Sequence, residues 1–287
     1  MFKLGYNTNG FANHSLLSAI DIIGGLGYES IAVTIDHYAL NPWNKNFETQ
    51  LVRVKAQLEK YALASVVETG ARFLLNPQTK HEPTLISPGK NKRETRIKFI
   101  EKCLEVASFL GSDAVSIWSG QKKDGVSDQN AWEWLISGCR KLSEKAEDFG
   151  IYIAFEPEPG MFVENLDQYD RLKEKINHDL FKLTLDLGHA LITEKSISKA
   201  IWDYRNDIVN IHLEDMKKDK HDHLFFGEGE MDFQKIFRSL KDINYSGQVN
   251  IELSRHSHNA VETAKKAKRF LRGILPDPKQ SGKIPLI

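Results

Sequence analysis

The stretch FKLTLDLGHA, Phe181–Ala190, decides how this chain is read. Phe181, Leu183, Leu185 and Leu187 share one alternating phase while Lys182, Thr184 and Asp186 share the other, the period-two signature of a strand with one apolar and one polar face. The run then ends in Asp, Gly and His, which a hydrophobic interior rejects unless chemistry there needs them. Three more stretches repeat the pattern. Ile151, Ile153 and Phe155 alternate with Tyr152, Ala154 and Glu156; Val209, Ile211 and Leu213 with Asn210, His212 and Glu214; Val249, Ile251 and Leu253 with Asn250, Glu252 and Ser254.

Outward from these, strand-like runs occur at FKLGYN, SIAVTID, ASVVET, AVSIWSG, IYIAFEP, FKLTLDL, IVNIHLED and QVNIELS. Helical periodicity follows each, opening near Ser15, Asn46, Asn91, Ser127, Leu166, Ser196, Asp232 and Asn259, several with an N-capping residue type. Eight strand-helix units predict an α/β protein with a single (β/α)8 barrel over residues 1–275 and a tail, 276–287. The apolar phase is expected to face the helices and the polar phase the barrel interior. An open sheet covered on both sides would more often be apolar in both phases. No Gly-x-Gly-x-x-Gly follows the first strand, so a dinucleotide site has no support.

Lys+Arg and Asp+Glu are both 39, which lacks the basic footprint of a nucleic-acid binder. Cys103 and Cys139 fall in separate helices with no pairing framework and read as buried free thiols. The start MFKLGYNTNG has no signal-peptide pattern and no run of about 18 apolar residues exists, so a cytoplasmic protein without a membrane span is expected.

Glu156, Asp186, His212 and Glu252 all stand in the polar phase at the C-terminal ends of four consecutive strands, where barrel enzymes build their sites. Carboxylates crowded in a partly dehydrated site repel one another, and a cation removes that cost. One divalent metal is therefore expected on these four residues. Three oxygens and one nitrogen favour Mn²⁺, Mg²⁺ or Co²⁺ and admit Zn²⁺. His189 and Glu158 lie just beyond strand ends as ligand or substrate-side groups, and Trp118 is a candidate wall for a sugar. Arg72, Lys80 and His81 after the third strand, and Arg255 with His256 after the eighth, are candidates for binding a carboxylate or phosphate on the substrate.

These residues resemble the xylose isomerase-like barrels, which include ketose 3-epimerases, hydroxypyruvate isomerases and inosose dehydratases and are related to endonuclease IV. The resemblance rests on Glu156, the Asp-x-x-His of Asp186 and His189, His212 in NIHLED, the segment HDHLFFGEGEMDF and Glu252 in NIELS, and it covers nearly the whole chain. It implies that Glu156, Asp186, His212 and Glu252 hold the metal, that Glu156 and Glu252 also move protons, and that His189 contacts substrate. Strands three and four end without the histidines of the endonuclease branch, and EDMKKDKHDH carries lysines where epimerases often have an arginine. His221 and His223 look like a ligand pair from the endonuclease branch, which keeps a second metal there open, but without the early histidines the reading as substrate-loop or surface groups is favoured, His223 as a substrate contact.

The function implied is a metal-dependent isomerase or epimerase acting on a small carbohydrate or polyol-derived ketone, through proton abstraction next to a carbonyl and an enediolate. The alternative is a dehydratase of the inosose or dehydroshikimate type. A phosphodiesterase of the endonuclease kind ranks lower, as does a non-catalytic barrel. The resemblance also admits a homo-oligomer, although the sequence carries no interface signature.

Overall fold

A computed structural model describes residues 2–275; the expected tail, 276–287, lies outside them. Eight parallel strands close a barrel: β1 Lys3–Asn7, β2 Ser30–Thr34, β3 Ala64–Glu68, β4 Ala114–Ile117, β5 Tyr152–Phe155, β6 Phe181–Asp186, β7 Ile208–Leu213 and β10 Gln248–Ile251. β8 Asp215–Lys217 and β9 Lys220–Leu224 form a separate antiparallel hairpin above the barrel's C-terminal rim. Closure runs β1-β10-β7-β6-β5-β4-β3-β2, which leaves no free edge among the eight.

Around the barrel lie α1 Leu16–Gly25, α2 Phe47–Lys60, α3 Lys90–Leu110, α4 Asp128–Glu147, α5 Leu166–Ile176, α6 Leu187–Thr193, α7 Ile197–Asp203, α8 Phe233–Asp242 and α9 Ala260–Ile274. Ser15, Ser127, Asn165, Ser196 and Asp232 cap their helices through side-chain oxygens, close to the starts the sequence marks. α3 starts at Lys90 with Gly89 as cap, one residue before the expected Asn91. The short α6 is an addition the periodicity did not show, because it is only seven residues, about two turns, capped by Asp186 directly on the end of β6. No helix among the described residues is long and apolar enough to cross a membrane. Cys103 and Cys139 are free and buried in α3 and α4.

The apolar phase of the strands packs under the helices in one continuous core, as in Phe155, Phe181, Leu183, Ile211 and Val249. The interior holds a small plug of Ala32, Val66, Ala114 and Ala154, with Tyr152 and Val209 against it. Val209 corrects its expected outward placement. The β6–β7 register pairs Leu183 with Ile208 but Thr184 with Asn210, so a bulge at Val209 puts Ile208 on the outer face and turns Val209 toward the plug.

Alongside this plug the interior is polar and hydrogen-bonded. Ser30 Oγ donates to Asn250 Oδ1 (3.1 Å), Asn250 Nδ2 to Asn210 Oδ1 (3.0 Å), and Asn210 Nδ2 to Glu68 Oε1 (3.1 Å). Gly5 of β1 makes room for this chain: a Cβ there would sit 2.1 Å from both Asn250 Oδ1 and Ser30 Oγ.

Candidate metal centre and substrate cavity

Glu156, Asp186, His212 and Glu252 converge at the C-terminal end of the barrel, with one ligand atom from each lying within 4.8 Å of the others. Strand register brings them together. Asp186 and His212 are partners across β6 and β7, while the backbone N–H groups of Glu156 and Glu252 continue the ladder onto Ile117 and Leu213. His212 Nδ1 lies 3.0 Å from Glu156 Oε1, 2.8 Å from Glu252 Oε2 and 3.9 Å from Asp186 Oδ2. Asp186 Oδ1 caps α6 by accepting from His189 N (2.7 Å), and Asp186 Oδ2 is buried with no hydrogen-bond partner.

The electrostatics are those of a cluster short of positive charge. Burial pushes the Glu156 carboxyl up to about 8 despite the neighbouring His212. Against its burial, His212 and the Asn9 amide hold Glu252 well below the ordinary carboxylate range. His212 is raised, again against burial, by Glu156, Glu252 and Glu68. Burial raises Glu158 and Glu214 as well, with Glu156 acting on the first and Asp186 on the second.

A cation fits this set on the structure's own terms. The buried Asp186 Oδ2 lacks a donor, and the only proton that Nδ1 of His212 can offer is shared between two glutamates. Three carboxylates with one imidazole suit an oxygen-preferring divalent ion.

Above the cluster opens a cavity of about 650 Å³, lined by Glu156, His212 and Glu252 at its floor. Glu158, Trp118, Arg72, His81, His223 and Arg255 all line its wall. His189 does not reach it. It is 4% exposed and sits behind the floor, its Nδ1 on the Pro157 carbonyl (3.2 Å) and its Nε2 against His221 Nε2 (2.9 Å). Gly188 beside it lets the start of α6 pack against Glu214, since a Cβ there would lie 2.0 Å from Glu214 Oε1. Arg72 and Arg255 reach the cavity already ion-paired, with Asp36 and Asp222 respectively. The segment expected as a plain loop after the seventh strand is the β8–β9 hairpin, and its alternation places His221 and His223 on the side facing His189.

Two residues that sequence reasoning passed over belong to the centre. Glu68 ends β3 in the inward phase and lies 2.9 Å from His212 Nε2; the phase rule that found Glu156 marks it too. Asn9, in the 3-10 turn after β1, donates to Glu252 Oε1 at 2.6 Å, and nothing in NTNG announces it. Asp215 anchors the rim: its carboxylate accepts from the backbone N–H groups of Met216, Gly227, Gly229 and Met231 at 2.8–3.1 Å.

Among known proteins, the inosose dehydratase of Clostridium perfringens (strain ATCC 13124) is 26% identical over 184 residues, covering 58% of this chain and 61% of that protein. The chain thus aligns with about three-fifths of that relative's length. Among solved structures, the 3-keto-D-glucoside 4-epimerase of E. coli superposes with a TM-score of 0.78 at 18% identity, covering 95% of this chain and all of that one. The IOLI protein with a bound zinc atom superposes at 0.77 and 17% identity, covering 95% and 98%. At these identities the two structures share the fold. The match to the xylose isomerase-like TIM barrel spans residues 8–274, and the chain belongs to that family.

Proposed function

We infer that the protein is a divalent-metal-dependent isomerase or epimerase acting on a small keto sugar or polyol-derived ketone. The observation that carries this reading is the juxtaposition of Glu156, Asp186, His212 and Glu252 at the floor of a cavity of about 650 Å³, with Asp186 Oδ2 buried and unpartnered. The ion, when bound, supplies a Lewis acid for a substrate carbonyl oxygen and the hydroxyl beside it. Mn²⁺, Mg²⁺ or Co²⁺ suits the donor set best, and the zinc in the IOLI protein supports keeping Zn²⁺ in the set.

The two glutamates move the proton. One removes it from the carbon next to the carbonyl, and the other returns it to the opposite face in an epimerase or to the neighbouring carbon in an isomerase. Asn9 donates to Glu252 while Glu156 has no such neutral donor, which favours the ionised form at Glu252 and hence the base role there. Trp118 and His81, edge to face at 5.6 Å, form a wall for the sugar. His189, walled off from the cavity, holds Asp186 through its backbone N–H rather than contacting substrate.

A second reading, a dehydratase, is favoured by the inosose dehydratase relative. It uses the same proton abstraction and then expels a β-hydroxyl. Proton exchange separates the readings. The Mg²⁺-loaded protein is incubated in D₂O with a panel of ketoses, 3-keto-glycosides and inososes, and substrate C–H signals are followed by NMR. Loss of a signal beside a carbonyl, abolished by Glu252→Gln or Glu156→Gln, is expected, and the product distinguishes epimer, isomer and dehydration. Metal-loaded protein that exchanges no such proton across the panel would refute the enolisation reading.

A further inference from the structure

The His212 ring is gripped on both sides. Its Nδ1 faces Glu156 and Glu252 at 3.0 and 2.8 Å, and its Nε2 faces Glu68 Oε1 at 2.9 Å. Both Glu68 and His212 are buried, at 7% and 2% exposure, so neither side of the ring can turn to water for a partner. Neutral imidazole carries one proton and one lone pair, and only the tautomer protonated at Nε2 presents the Nδ1 lone pair to the cluster.

A second group competes for the same nitrogen. Asn210 Nδ2 lies 3.2 Å from His212 Nε2 and 3.1 Å from Glu68 Oε1. The Glu68 carboxylate favours this orientation of the Asn210 amide, since the flipped form would set an oxygen against Glu68 Oε1; on its far side Asn210 Oδ1 accepts from Asn250 Nδ2. Asn210 thus presents N–H to this corner. With Glu68 present, that N–H and the His212 Nε2–H both end on one carboxylate oxygen. Without Glu68, the Asn210 donor would pair with a bare Nε2 and drive the ring proton to Nδ1, toward the three carboxylates.

We propose that Glu68 is a positioning residue that selects the His212 tautomer competent to bind the cation, by accepting Nε2–H and diverting the Asn210 amide. The inference rests on the metal reading above. A carboxylate behind a histidine ligand is the arrangement that orients such rings, and its loss ordinarily costs about 10–100-fold in metal affinity. Here the Asn210 donor makes the penalty specific, because it stabilises the wrong tautomer instead of merely leaving the ring loose.

The test is a Mn²⁺ titration of the full chain followed by EPR of the free ion, with circular dichroism to verify the fold of each variant. Glu68→Met, which keeps the volume but accepts nothing, is expected to weaken Mn²⁺ binding about 10–100-fold. Glu68→Gln, which keeps an acceptor oxygen but not the charge, should stay within a few-fold of the native protein. The double variant Glu68→Met/Asn210→Leu should bind more tightly than Glu68→Met alone, since the competing donor is gone. Glu68→Ala replaces the Met variant if that one does not fold. Native-like affinity in the non-accepting variant, equal losses for Gln and Met, or no recovery in the double variant would each overturn the tautomer role while the metal reading stands. Absence of Mn²⁺ binding by the native protein would overturn both.

Discussion

Arg96 of α3 tests whether the wall of the cavity is built from within. Its guanidinium is 3% exposed and donates to three backbone carbonyls of the segment after β3: Nε to Pro83 (2.7 Å), Nη1 to Thr69 (3.0 Å) and Nη2 to His81 (2.6 Å). It also stacks 5.0 Å over the Trp118 ring. Burial has a cost. It pushes the guanidinium down from 12.5 to about 10, a penalty of about 3 kcal/mol at roughly 1.4 kcal/mol per tenfold change in proton affinity. Against this stand three charge-assisted hydrogen bonds at about 1.5–3 kcal/mol each. The hydrogen bonds win. Arg96→Met should therefore destabilise by about 2–5 kcal/mol, lowering the melting temperature by roughly 4–10 °C in a domain of this size. Gly70, Arg72, Lys80 and His81 ride on the stitched segment, so proteolysis and amide exchange there should accelerate as well. A melting temperature within about 1 °C of the native protein, with exchange across residues 69–83 unchanged, would refute the argument.

Three further outcomes follow from the same geometry. In the metal-free protein burial holds Glu156 up to about 8 and its carboxylate neighbours keep His212 protonated, so a cation must displace protons. Apparent Mn²⁺ affinity should rise at least about tenfold per pH unit from 6 to 8 and less steeply above, where Glu156 has already lost its proton; a flat profile in that window contradicts it. Burial pushes His189 down to about 4, so the unfolded metal-free chain, titrating near 6.5, takes up a proton the folded one refuses. Stability is then fully present above about 6.5 and falls as pH drops, by about 3 kcal/mol at pH 4, and urea melts of His189→Gln should lack that share of the loss. Asp215→Asn puts an NH₂ against backbone N–H groups that now meet a carboxylate, and should cost about 2–4 kcal/mol in urea unfolding, with no change expected if those contacts are idle.

The barrel and the heart of its site were legible for one reason. A strand writes its two faces into alternate residues, and closure makes one of those faces a shared interior, so Glu156, Asp186, His212 and Glu252 could be seen to meet before any coordinates. The same rule applied evenly would have added Glu68, which stands two residues past the plug residue Val66; looking on β3 for a histidine hid it. Val209 was misplaced because a bulge breaks the period without marking the sequence.

What alternation cannot carry is pairing between distant polar groups. Arg72 and Arg255 looked like anion-binding groups because their partners, Asp36 and Asp222, lie 36 and 33 residues away on other elements. Once paired, each presents hydrogen-bond donors to the cavity with its charge already offset. Asn9 was hidden for the same reason, standing 243 residues from the Glu252 carboxylate it holds. Each of these partners acts on a group the alternation had found: Asn9 on Glu252, Glu68 on His212, and the His189 N–H on Asp186. The residues read from sequence can hold a cation. Their partners determine which atom of each faces it, and an imidazole turned to the wrong nitrogen would leave the same four residues in place without a site.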